Sequence, residues 1–164
     1  MKKLISLLIS SLLIVSLSAC NLINDNDRFS DISGINIDKL KLVDEYDSHG
    51  GFQNDGISYR KYVANNYDIM QDIENDGRWK AFPLSKTVEM ILYGINFNGA
   101  YIVDESQNVL MPMVNDGYYL LIDRHSEAKD NDQEEDIFER YSLNYSVFVY
   151  DSENNFLYIC EQDT

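Results

Sequence analysis

Residues 4–17 contain only Leu, Ile, Val and Ser, with Lys2 and Lys3 before them and Ser18, Ala19 and Cys20 behind. A positive start, a short apolar run and small residues at its end form the layout of a secretory signal peptide, not of a structural element. As a helix, residues 4–19 would be about 24 Å long, short of the roughly 30 Å hydrocarbon core of a bilayer. No cluster of Lys or Arg follows to halt transfer; the next charges are Asp25 and Asp27. The foldable chain is therefore expected to lie after residue 19. That remainder is one ordinary domain in length and long enough to bury a core.

The string Leu17-Ser18-Ala19-Cys20 resembles the lipobox of bacterial lipoproteins at every position. The resemblance implies cleavage before Cys20, a diacylglyceryl group on its sulfur, and further acylation, palmitate for example, at the new amino terminus. The residue types suit that chemistry, because a thiolate is the strongest side-chain nucleophile and small neighbours leave it accessible. Each buried acyl CH₂ is worth about 0.8 kcal/mol, and two chains hold where one only visits. The expected division is a signal peptide over 1–19, a lipidated tether over 20–34 and a domain over 35–164. The expected place is the extracytoplasmic face of the cell membrane.

The chain carries 28 acidic against 13 basic residues, a formal charge of −15, and two of the lysines lie in the leader. So acidic a body is repelled by nucleic acid and by anionic lipid headgroups, and neither is an expected partner. A cationic protein or peptide is the partner that such charge would attract, while its ordinary role is solubility. With Cys20 lipidated, Cys160 has no disulfide partner in the chain. It lies in the strand-like Phe156-Leu157-Tyr158-Ile159-Cys160 and is expected to be a buried, inert thiol.

Residues 21–34 are turn-rich and lack a sustained period, hence the tether assignment. Alternation of Ile35, Ile37, Leu40, Leu42 and Tyr46 predicts a first strand, and that of Ile57, Tyr59 and Val63 a second. Tyr67, Met70 and Ile73 predict a short helix capped by Asn65 or Asn66 and ended by Asn75-Asp76-Gly77. A second helix is predicted from Ser85, after Pro83, with Val88, Ile91 and Leu92 on one side and Gly94 as its stop. Strands over 101–103 and 109–113 flank a turn, and Asn115-Asp116-Gly117 offers hairpin chemistry before a strand over 118–123. Residues 145–150 and 156–160 pair across 151–155, apolar on both faces and so central in the sheet. The predicted fold is α+β: a single domain, mostly antiparallel sheet, with two short helices packed on one face.

Chemistry has few places to sit. His49 lies in Asp47-Ser-His-Gly-Gly-Phe-Gln-Asn-Asp55-Gly56, where Asp47, His49 and Asp55 could bind a ligand or act as a base. A glycine-rich connection shaped by local hydrogen bonds is the simpler reading of that segment. Asp123 and His125 end a strand; were they to share a sheet end with His49, two histidines and Asp123 would make a metal set. Residues 127–139 hold seven acids against Lys129 alone. Glu135 and Tyr141 stand where a calcium loop from Asp130 needs Gly and Glu, so a solvated loop or a docking site for a cationic partner is expected instead. There is no Gly-x-Ser-x-Gly, Cys-x-x-Cys, His-Glu-x-x-His or phosphate-loop pattern, and no cofactor is expected.

The segment from His49 to Gly56 is similar to a His-Gly-Gly-Phe-x-x-Asp-Gly segment of small Gram-positive lipoproteins, a resemblance that implies no activity. The sequence thus points to a membrane-anchored extracytoplasmic binding or interaction module. An inhibitor or immunity-type protein for a basic partner, and a small metal-dependent hydrolase using the His49 loop, stand as alternatives.

Overall fold

The strand over Tyr145–Asp151 is buried at every residue, so both of its faces must be roofed by other parts of the chain. The computed structural model describes residues 25–50, 55–94, 100–125, 134 and 137–164. Cys20, residues 51–54 of the glycine-rich segment and nearly all of the acidic run over 127–136 lie outside the described residues. Chain order is helix α1 (Asp25–Ser33), a 3₁₀ turn (Ile37–Lys39), β1 (Lys41–Asp47), β2 (Gly56–Val63), α2 (Ile69–Asp76) and the two-residue β3 (Lys80–Ala81). Then come α3 (Lys86–Tyr93), β4 (Gly117–Asp123), a second 3₁₀ turn (Ile137–Glu139), β5 (Tyr145–Asp151) and β6 (Phe156–Asp163). All six strands form one antiparallel sheet in the order β1-β2-β6-β5-β4-β3.

The predicted α+β class and the central β5–β6 hairpin are what the structure contains. Alternation sends Val147, Val149, Tyr158, Cys160, Tyr119 and Leu121 to one face, beneath Val88, Ile91 and Leu92 of α3 and Ile102, Met111 and Val114. Phe148, Tyr150, Leu157, Ile159, Leu120 and Ile122 point the other way, beneath Phe29 of α1, Ile35, Ile37, Ile69 and Ile73 of α2, and Trp79. The helices therefore occupy both faces, not one. Two apolar faces on the central strands leave no alternative, since an uncovered face would expose a large apolar patch.

Local chemistry explains the helix ends. Ser85 caps α3 by accepting from the Val88 N–H at 3.2 Å, and Gly94 ends it in the left-handed region at φ 66°. Gly77, at φ 72°, ends α2, whose N-cap is Asp68 and not Asn65 or Asn66, with no side-chain capping bond. Gly117 sits at φ 147°, where a Cβ would stand 1.8 Å from the Tyr150 carbonyl oxygen. It opens β4 opposite Asp151, so Asn115-Asp116-Gly117 serves sheet entry and not a hairpin. The expected strands over 101–103 and 109–113 reduce to a single bridge between Val103 and Val109 around a turn tied by the Asp104 carboxylate.

The largest departure from the sequence reading lies at residues 25–34. These residues are not a tether but belong to the domain. Phe29 is fully buried, meets Phe148 edge-on at 6.2 Å, and lies under the guanidinium groups of Arg28 and Arg60 at 4.4 and 5.1 Å. The Trp79 indole N–H donates to the Ser33 carbonyl at 2.9 Å, fixing the far end of α1. Asp25 and Asp27 in its first turn complement the helix dipole. Ile35 and Ile37, expected in a strand, instead enter the core under the turn at Gly34, and β1 begins only at Lys41.

Phe29→Ala should therefore cost about 3–5 kcal/mol of folding stability, the range for emptying a buried aromatic site. Urea unfolding followed by the emission of Trp79, the only tryptophan, measures it. A change within a few tenths of a kcal/mol would show that α1 contributes nothing to the core.

Candidate functional site: the charged end of the α1 face

The strands that bury apolar residues beneath α1 change character at one end. On that face Leu157 and Ile159 of β6 are followed at the same parity by Glu161, and Phe148 of β5 is preceded by Ser146. Glu161 is buried, with only 3% of its surface exposed. Arg28 reaches down from α1 and donates to both of its oxygens at 2.7 Å, while Ser146 Oγ donates to Oε1 at 2.6 Å. Burial alone would push the Glu161 carboxyl up. The bonds from Arg28 and Ser146, with the charges of Arg28 and Arg124, outweigh it and hold its pKa below the ordinary value. The same Glu161 bond raises the pKa of Arg28 further.

Charges alternate outward from this pair. Arg60 of β2 meets Asp25 of α1 at 2.7 Å and Asp47 at 3.8 Å. Arg124, just past β4, meets Asp163 at 2.8 Å and donates to the Tyr145 carbonyl at 3.0 Å. His49 stands between two carboxylates, with Nδ1 2.8 Å from Asp47 and Nε2 3.2 Å from Asp163. Only a ring carrying both protons donates to both at once. Gly56 makes room for this approach, since a Cβ there would lie 2.7 Å from the His49 backbone. Asp25, Arg28, Asp47, His49, Ser58, Arg60, Glu161 and Asp163 line a polar cleft of about 370 Å³, with Arg124 behind Asp163.

Of the residues singled out from sequence, Asp47 and His49 enter this cleft. Asp55 stands exposed just before β2 and does not line it. Asp123 and His125 do lie at the same sheet end, yet they join a different cluster. Strand alternation turns Asp123 toward the α3 face while Arg124 turns toward α1, and β6 and β5 separate β2 from β4. There Asp123 pairs with Arg140 and accepts from the His125 backbone N–H, and His125 Nε2 lies 2.9 Å from Ser142 Oγ. The two histidines and Asp123 thus do not form one metal set, and no metal-binding group of three occurs among the described residues. Cys160 is fully buried, and burial drives its thiol pKa well up, which makes it inert.

Arg28, Arg60, Arg124, Glu161 and Asp163 belong to the cluster without any motif in the sequence that marks them. Arg28 was hidden in the supposed tether. Glu161 carried a signal, because it continues the inward parity of Leu157 and Ile159 one step past the expected strand end. The chemistry of the cleft is that of a self-neutralised network: each guanidinium already faces a carboxylate, and the imidazole is held as a strut.

Because the Glu161 pKa is lower folded than unfolded, the carboxylate contributes stability above its unfolded value, near 4.5. That contribution is lost as pH falls through the folded value. Glu161→Gln should cost about 3 kcal/mol at neutral pH by removing the buried partner of Arg28 and leaving it only the exposed Asp25 at 3.6 Å. It should also flatten the fall in stability below about pH 4.5 relative to wild type. Denaturant melts of both proteins across acid pH check this, and parallel pH profiles would refute the assignment. No protein family matches this chain, and no curated protein or solved structure is significantly similar to it.

Proposed function

We propose that the protein is a lipoprotein of the cell envelope, held at the extracytoplasmic face of the membrane by lipid on Cys20, with its folded body acting as a binding module. The observation that carries the anchor is Leu17-Ser18-Ala19-Cys20 directly behind an apolar leader with two lysines. The burial of Cys160 supports it, because no other thiol competes for modification. Binding is favoured over catalysis by the state of the cleft. Both nitrogens of His49 face carboxylates, and no hydroxyl or thiol nucleophile is in contact with its ring among the described residues. A hydrolase needs the opposite arrangement, a base aimed at a nucleophile.

Cys20→Ser is expected to accumulate as unprocessed precursor and to incorporate no labelled palmitate, while wild type does both steps. Label on the mutant would overturn the anchor. The module is tested by melting wild type and His49→Ala with Zn²⁺, Ca²⁺, phosphate, muropeptides and a cationic peptide. A ligand at a hundredfold over its Kd stabilises the native state by about 2.7 kcal/mol. A shift in wild type that His49→Ala abolishes assigns the ligand to the cleft; no shift with any of them removes these classes from the proposal.

A further inference from the structure

We infer that the start of β1, with Leu42 and Val43 preceded by Lys39 and Lys41, is the surface that this domain lays against the bilayer. The inference rests on the lipid anchor at Cys20. Asp25, the first residue of α1, follows Cys20 by five residues, a span that reaches no more than about 17 Å however it runs. That first turn is fixed to the domain at a known place. The Asn26 side chain donates to Asp38 at 3.2 Å and accepts from the Tyr62 hydroxyl at 3.0 Å, and Asp25 holds Arg60. Leu42 pairs directly across the sheet from Tyr62. The point where the chain leaves for its lipid thus lies on the β1 edge of the sheet, with Asp25 on Arg60, opposite Glu45, and Asn26 on Tyr62, opposite Leu42.

The surface at that point has the composition of a headgroup-level contact. β1 is the outer strand of the sheet, and it is exposed along nearly its whole length. Leu42 and Val43 are 40% and 45% exposed and adjacent, on the strand whose register breaks between Leu42 and Asp44. Lys39 and Lys41, both exposed, place two ammonium groups on either side of Leu40 in a chain otherwise dominated by acid. Lysine stems lie along apolar surface while their heads meet phosphate. Asp38, Asp44 and Glu45 limit the contact to headgroup depth and leave the covalent lipid to hold the protein down. Of the other exposed apolar side chains among the described residues, Val109 and Met113 lie in the segment that covers the opposite, α3 face, and Tyr141 follows the 3₁₀ turn at Ile137–Glu139, next to the Arg140 that pairs with Asp123, four strands away and at the opposite sheet end.

The test uses the full chain, processed in cells, purified and placed in phosphatidylcholine–phosphatidylglycerol vesicles. Val43→Cys and Tyr141→Cys are each labelled with an environment-sensitive fluorophore; lipid blocks Cys20 and burial protects Cys160. The label at 43 should shift to shorter wavelength and be quenched by headgroup nitroxide lipids, while the label at 141 should do neither. Equal quenching at both positions, or quenching at 141 alone, overturns the orientation. An unquenched label at 43 with Val43→Cys forming a disulfide between two chains also overturns it, in favour of β1–β1 pairing. Acyl label on the purified protein is read in parallel. Acylated protein with an unquenched position 43 fails the orientation alone, whereas protein without acyl label fails the anchor and the orientation together.

Discussion

The arrangement of this protein depends on one constraint: the central hairpin of β5 and β6 is apolar on both faces. A strand pair of that kind is stable only when each face is roofed, and the chain supplies two different roofs. On one side α3 and the segment carrying Ile102, Met111 and Val114 bring aliphatic side chains directly onto the sheet. On the other, α2 and the turn at Ile35 and Ile37 leave a gap over Phe148 that Phe29 of α1 fills together with Trp79. A nine-residue helix with one fully buried aromatic side chain does not stand alone. Its place is set by what it covers.

The ion pairs beneath α1 follow from that cover. Bringing Arg28 over β6 sets it against Glu161 in a site with little water, where a carboxylate is costly unless it is hydrogen-bonded on both oxygens. Arg28 and Ser146 meet that requirement. Such pairs add little net stability compared with well-packed apolar residues, yet removing one partner is costly. Their effect here is positional: α1 is tied to β6 by Arg28, to β2 by Arg60 and to the sheet surface by Phe29. Asp163 then extends the chain of charges to Arg124 beyond β4 and to His49 beyond β1, so residues far apart in sequence close the same end of the sheet.

On the proposed lipid anchor at Cys20, this fixing of α1 also bears on the position of the domain at a membrane. A flexible tether reaching to residue 34 would let the body tumble freely above a lipid anchor. With α1 fixed to the sheet by a buried ring and several ion pairs, the free length is far shorter and leaves the domain at a defined edge.

Much of the fold was legible in the sequence because it is written in local pattern. Ser85 and Gly94 bracket α3 by cap chemistry, and Gly77 closes α2, since each satisfies backbone groups within a few residues of itself. Unbroken apolar runs over 145–150 and 156–160 required a central hairpin. The site was legible only in part. Asp47 and His49 stood out by residue type, whereas Arg28, Arg124 and Asp163 have no local signal, and Glu161 gained meaning only from its parity with Leu157 and Ile159. Alternation could not say which strand lies beside which, so it could not separate the two histidines to opposite clusters. By itself, then, the sequence determined the helix stops and the two-faced hairpin, both of which depend on short-range chemistry. The tertiary structure alone decided that a polar stretch around Phe29 becomes a helix, because its stability comes from covering Phe148 and pairing with Glu161 over a hundred residues away.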